Sequence, residues 1–340
     1  MTSTTRPIGA VLPLLGLLAQ LAPTSVGAQG AARVFSGAAP ASWVAPPGVP
    51  GDSFAVFHAR RVLELTQPPA RFVVHVSADN RYRLYVNGQQ VSSGPQRSDV
   101  THWRYETVDL APALRAGHNV IAALVWNWGG ARPVAQHSYR TGFLLQGDGP
   151  AEAALVNTGP GWKLRLDSAW APLPVSAQQV GGYYAAAPGE SVDGARLPWG
   201  WELPEYDDAD WLTVTTGSPA IVGALALRAP HQEGYGEVAG WQLEARDIPP
   251  MEETVQRLAR VRRATGVSVD DRFLRGAGDL VVPAHARATL LLDQGHTTNA
   301  YPVLETSGGA GSTVTLTYAE ALVDSAGRKG NRNEVEGRVV

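Results

Sequence analysis

Trp126 and Trp128, in Val125-Trp-Asn-Trp-Gly-Gly130, sit two residues apart and so share one face of an extended chain. Such a pair is a platform for a flat ligand with C–H faces, a pyranose ring above all, where Asn, Asp or Arg side chains bond the hydroxyls. Asp79, Asn80, Trp103 and Arg104 would complete a cleft of this kind. A second reading stands beside it: tryptophan is usually largely buried, and the same rings would pack a sheet edge against a neighbouring domain. Acid–base chemistry needs paired carboxyl groups, and the best local pair is Glu190 and Asp193; the Gly and Pro around them predict a hydrogen-bonded turn. Asp207-Asp-Ala-Asp-Trp211 clusters three carboxylates but lacks the alternating ligands and central Gly of a calcium loop, which predicts a solvated turn capped by Trp211. Calcium thus has no motif behind it, and no cofactor is expected. The eight histidines never form a close pair, which argues against zinc. There is no Gly-x-Ser-x-Gly elbow for acyl transfer, and Gly181-Gly182 and Gly308-Gly309 lack the Lys-Ser/Thr ending of a phosphate loop.

These residues need strands to hold them. In Arg81-Tyr-Arg-Leu-Tyr-Val-Asn-Gly88, Tyr82, Leu84 and Val86 alternate with Arg83 and Tyr85, the period of a strand with one buried face. Asn87-Gly88 suits a two-residue type I′ turn, so the chain should return through Gln89 to Val91 as a hairpin, closed by Gly94-Pro95. Around it, 54–65, 71–77, 105–110, 119–126, 141–146, 153–157 and 162–166 read as further short strands. Asn119 to Trp126 is apolar on both alternating faces and predicts the deepest strand. Spacing of about ten residues between short strands is the mark of an antiparallel sandwich. From 168 to 211 that pattern gives way to collected aromatics. A charged stretch over 251–273 reads as a surface insertion, and 287–293, 301–305 and 312–319 predict a final β region.

The 340 residues carry a net charge of −3 and no basic run, so a nucleic-acid partner is not expected. Only 17% are charged, while 37 Gly and 25 Pro favour short strands and turns over long helices. With no cysteine, disulfides and thiolate chemistry are excluded. At the N-terminus, Arg6 precedes a Leu-rich stretch from Ile8 to Leu21, and Val26-Gly-Ala28 offers a cleavage site before Gln29. This predicts a signal peptide, a periplasmic or secreted mature protein and no membrane contact after cleavage; an uncleaved anchor is the alternative.

Certain pieces stand in a fixed order: Ser77-Ala-Asp-Asn-Arg-Tyr-Arg-Leu-Tyr-Val-Asn-Gly88, Gly94-Pro95, Trp103 with Tyr105 to Leu110, Gly117-His-Asn-Val-Ile-Ala122 and Val125-Trp-Asn-Trp128. Later ones are Gly189 to Gly194, Pro198-Trp-Gly-Trp201, Asp207 to Trp211, Leu292-Asp-Gln-Gly295, Tyr318 to Leu322 and Lys329 to Glu334. Taken together, they resemble the N-terminal half of a bacterial α-L-rhamnosidase of glycoside hydrolase family 78. The resemblance implies jelly-roll modules, a linking β domain and then an (α/α)₆ barrel bearing the general acid and base. This chain has no run of paired amphipathic helices, so no catalytic residue is carried over.

The expected fold is therefore mainly β: a signal peptide (1–28), a leader (29–53), an antiparallel jelly-roll-like sandwich (54–167) and an aromatic-rich connection completing it (168–225). A second β domain (226–326) and a cut-off lead-in to the absent barrel (327–340) follow. The expected function is the accessory region of a secreted enzyme releasing terminal α-L-rhamnose from glycosides or polysaccharides, inactive alone and partnered by its missing catalytic domain. A stand-alone carbohydrate-binding module and a purely structural scaffold are the alternatives.

Overall fold

In the computed structural model, the described residues are 41–51, 53–180, 182–224, 240–319, 322–324, 326, 328 and 338–339. The expected signal peptide and the first part of the leader lie outside them. The chain divides into two units, one of Met1–Pro172 with Glu190–Arg246 and one of Leu173–Gly189 with Asp247–Val340.

The first unit carries β1 (Ser42–Val44), β2 (Phe54–Leu65), β3 (Val73–Asp79), β4 (Arg81–Val86), β5 (Gln89–Gly94), β6 (Trp103–Asp109), β7 (Gly117–Trp128), β8 (Gly142–Gly147) and β9 (Lys163–Leu166). After β10 (Trp170–Leu173) and β11 (Gly189–Val192), which pair with each other, come β12 (Leu212–Thr213), β13 (Ile221–Ala224) and β14 (Leu243–Ala245). Two six-stranded sheets result, in the orders β13-β1-β8-β3-β6-β14 and β12-β9-β2-β7-β4-β5. All their pairings are antiparallel except that of β14 with β6.

The alternation read from sequence sets which face is inside. Tyr82, Leu84 and Val86 are fully buried in one core with Phe57, Ile121, Val125, Phe143 and Trp162, whereas Arg81, Arg83 and Tyr85 point the other way and stay partly exposed. The β4–β5 hairpin turns at Asn87 and Gly88 with φ of 50° and 85°, as a type I′ turn requires. β7 is hydrogen-bonded on both edges, to β2 and β4, with Ile121, Ala123 and Val125 inward.

Several boundaries move. The stretch assigned to the leader supplies β1, because Trp43 is 1% exposed and stacks on Trp241 with ring centroids 3.9 Å apart. Within the connecting region 168–225, β12 and β13 add an edge to each sheet, while β14, expected in the second domain, joins the first. Residues 153–157, read as a strand, belong mostly to helix α1 (Pro150–Val156), where Pro150 occupies the first turn and an Ala-Glu-Ala-Ala run follows.

In the second unit, β15 (Arg260–Thr265) pairs antiparallel with β16 (Thr289–Asp293), so the expected charged insertion contributes a strand. Arg260 bonds Asp293 across the pair at 2.8 Å. β17 (Leu322–Val323) pairs with β18 (Arg338–Val339). Residues 301–305 and 312–319, read as strands, form none, and Val303, Val314, Leu316 and Tyr318 are exposed. Alternation suits a residue run to a sheet face, but a strand exists only where another pairs with it.

Candidate functional site

The six residues expected to form one cleft are placed in different surroundings. Asp79 ends β3 and is fully buried. Its carboxylate accepts from Ser138 Oγ at 2.7 Å, from the Tyr139 and Arg140 amides at 2.7 and 3.1 Å, and from Trp241 Nε1 at 3.0 Å. Burial pushes its pKa up, against the pull of these donors. Asn80, also fully buried, donates to Asp79 at 2.6 Å and accepts the Trp128 amide at 2.9 Å. Both side chains thus brace the chain around β7 and residues 138–140. The short polar connection between β3 and β4 is thus tied to the donors around it.

Trp103 is also interior, 2% exposed in a cluster with Trp43, Leu144, Trp241 and Leu243. Arg104 turns to β14, bonding Glu244 at 3.0 Å and the Ala245 carbonyl at 3.0 Å. Trp126 and Trp128 lie on the outer face of the second sheet, half-buried and edge to face with ring centroids 5.9 Å apart. Their shared face was legible from the two-residue spacing. Trp103 and Asp79, by contrast, are buried, and Asn80 links Asp79 to this strand by donating to it and accepting the Trp128 amide.

The same outer face carries a constellation that the sequence did not single out. Arg60 on β2 is 1% exposed, and its Nε donates to Asp208 at 2.8 Å. Its Nη1 donates to the carbonyls of Trp201 and Leu203, while Tyr206 and Trp211 flank the guanidinium with ring centroids 5.3 and 5.8 Å away. Lys163 Nζ meets Asp208 from β9 at 2.6 Å. The acidic turn is therefore an anchor for the connecting region rather than a purely solvated loop. Among the described residues no group of three His, Asp or Glu is placed to hold a metal ion.

Beside this anchor, His58, Tyr85 and Leu124 on neighbouring strands form the floor of a cleft of about 200 Å³. Trp170, Leu197, Pro198, Trp199, Trp201 and Glu202 wall it. His58 is 2% exposed, with Nε2 2.8 Å from Asp167 Oδ2. Asp167 also accepts the Ala169 amide at 2.8 Å and Trp170 Nε1 at 3.1 Å. Burial raises the Asp167 pKa, but these donors together outweigh it and hold the carboxyl below its usual range. Burial likewise holds the imidazole below its ordinary value despite the carboxylate, so His58 is neutral and donates from Nε2. Nδ1 is then a lone-pair acceptor, buried without a protein partner. Trp199 is 73% exposed, yet its Nε1 is fixed to the Gly194 carbonyl at 2.8 Å. The cleft presents aromatic faces on which a ring can stack. It brings no pair of carboxyl groups together for hydrolysis.

Comparison with known proteins bears on the same region. The family model described as the α-L-rhamnosidase N-terminal domain matches residues 67–236, half of the chain, which takes in β3 to β13. An α-L-rhamnosidase of Streptomyces avermitilis is 29% identical over 159 residues, 43% of this chain and 14% of that protein. The crystal structure of a family GH78 rhamnosidase from Bacillus sp. GL1 superposes with a TM-score of 0.54 at 26% identity, over 68% of this chain and 22% of that one. The chain therefore spans about a fifth or less of the length of these relatives. Two six-stranded sheets built on the β4–β5 hairpin, and a matched segment covering most of their strands, agree: the chain belongs to the α-L-rhamnosidase N-terminal domain family.

Proposed function

We propose that the chain is the N-terminal accessory region of a secreted α-L-rhamnosidase that releases terminal α-L-rhamnose from glycosides or polysaccharides, and that it does not hydrolyse them alone. The family match over 67–236 carries this reading. Hydrolysis requires two carboxyl groups flanking the scissile bond. In the first unit the buried carboxylates are otherwise engaged: Asp79 by six donor groups, Asp167 by His58, and Glu106 by Arg246 at 3.0 Å. Secretion rests on Arg6, the Leu-rich stretch and Ala28.

The test compares the 340-residue chain with a chain extended through a helical catalytic barrel, both on an aryl α-L-rhamnoside. Turnover is expected only from the extended chain, and turnover by the short one overturns the accessory role. Export should yield a product beginning at Gln29, read from its N-terminal sequence.

A stand-alone carbohydrate-binding module is the second reading, favoured by the half-exposed Trp126 and Trp128 on the outer sheet face. Under it the partner is a rhamnose-containing glycan, and the pair is the stacking platform.

A further inference from the structure

We infer that residues 312–319, in the second unit, are a self-association site at which the same segment of a second copy of this chain pairs as an antiparallel strand centred on Leu316. The inference is independent of the rhamnosidase reading.

The first observation is a strand pattern with no strand beside it. Ser312-Thr-Val-Thr-Leu-Thr-Tyr-Ala319 alternates strictly and is built from Thr, Val and Tyr, residue types that suit a pleated surface. Among the described residues no strand pairs with it, and every residue from 295 to 319 is exposed, so a second chain can reach its backbone. Val314, Leu316 and Tyr318, which fall on one face of an extended chain, are 58%, 49% and 67% exposed.

The second observation is that nothing in the segment repels a copy of itself. From Thr306 to Ala319 there is neither a charged residue nor a proline, the two devices that keep open strand edges apart. β15 differs: Arg260, Arg262 and Arg263 would set like charges together if it met its own copy. The third is self-complementarity. In an antiparallel pair centred on Leu316, Val314 lies opposite Tyr318 and Leu316 opposite its own copy, all on the apolar face. On the other face Thr315 lies opposite Thr317, and Thr313 opposite Ala319. Aromatic with β-branched and Thr with Thr are favourable cross-strand pairs. A two-fold axis through Leu316 therefore satisfies both copies at once. One strand pair buries less than the roughly 1,000 Å² of a standard interface, so the dimer is of the weak, transient kind.

The full chain is followed by sedimentation velocity from about 10 μM to about 1 mM, the span of weak association. It should pass from monomer to dimer across that range. Leu316→Lys sets two like charges opposite each other and should weaken the dimer at least about tenfold, while mixing it with Leu316→Asp should restore association. Leu316 is exposed and lies outside the core of the first unit, so both variants should keep the near-ultraviolet circular dichroism of the parent. The register is read with single cysteines, since the chain has none of its own. A disulfide needs Cα atoms within about 7 Å. Leu316→Cys brings the two copies to about 5 Å and should cross-link under mild oxidation. The two Val314→Cys positions stand about 14 Å apart, four residues along the strand, and should not. A monomer at every concentration, or a dimer indifferent to Leu316→Lys, would overturn the site. Amide protection over 312–319 that does not change with concentration would place the strand's partner in the same chain and overturn it as well. Cross-linking of Val314→Cys as fast as that of Leu316→Cys would overturn the antiparallel pairing.

Discussion

A histidine buried beside a carboxylate is often protonated, but burial wins at both such residues here. His58 faces Asp167, Arg165 and Glu202, and His75 faces Asp148 at 3.0 Å with Arg71 beyond it. Desolvation is the largest influence at each and lowers both pKa values; the bond to the aspartate only partly offsets it. As pH falls through about 6.5, histidines in the unfolded chain take up protons first. The native state resists until its own lower values are reached. Stability from these two sites is thus complete above about pH 6.5 and declines below it, by at most about 1.4 kcal/mol per pH unit per histidine. Asp148, whose pKa is held down first by the Arg71 hydrogen bond, stays ionised across this window. Urea unfolding at pH 7.5, 6.5 and 5.5 should show a midpoint that falls with acidity, and His75→Gln should flatten the trend. A midpoint that is constant or rises on acidification would show that the bonds to the aspartates dominate instead.

At the scale of elements, the capping segment 197–211 depends on one side chain. Arg60 gathers a carboxylate, three carbonyls and two aromatic faces from residues about 140 positions away along the chain. Removing it strips those carbonyls of a donor and leaves Asp208 with Lys163 alone. Arg60→Ala should cost about 3–5 kcal/mol in unfolding free energy, as breaking a buried pair does. It should also speed amide exchange over 199–211 well before the core of β7. Lysine cannot replace the planar fork, so Arg60→Lys should restore only part of the loss. Unchanged exchange over 199–211 would mean that Trp211 and the local turns hold the segment without it. This anchor was invisible in the sequence because it joins strictly non-local residues, and neither partner sits in a periodic pattern. The β4–β5 hairpin was legible because everything that makes it is local: alternation, then Asn87-Gly88. Asp79 and Asn80 show the limit of residue type as a guide. They are the right chemistry for a ligand, yet Asp79 is taken by Ser138, Trp241 and the amides at 139 and 140, and Asn80 by Asp79 and the Trp128 amide.

For the whole molecule, the two units differ in what burial can contribute. The first holds Phe57, Tyr82, Leu84, Ile121, Phe143, Leu145 and Trp162 in one sealed core. Among the described residues of the second, the buried apolar side chains are Leu322 and Val323, while Met251, Val255, Val281 and Val303 are each at least 73% exposed. Hydrophobic burial supplies most of the favourable free energy of folding, at about 25 cal/mol per Å². A segment with little of it opens locally at a small fraction of the global cost. Trypsin reads this directly. Residues 247–319 offer Arg257, Arg263, Arg275 and Arg287, whereas 173–189 contain no Lys or Arg, so digestion spares the link within the first unit. Cleavage within 247–319 should precede cleavage within 54–166 by at least about tenfold in rate. The early product should keep the near-ultraviolet circular dichroism of the packed tryptophans and a cooperative thermal transition. Equal rates in the two segments, or loss of that signal at the first cut, would show that the second unit is protected by more than its own buried side chains.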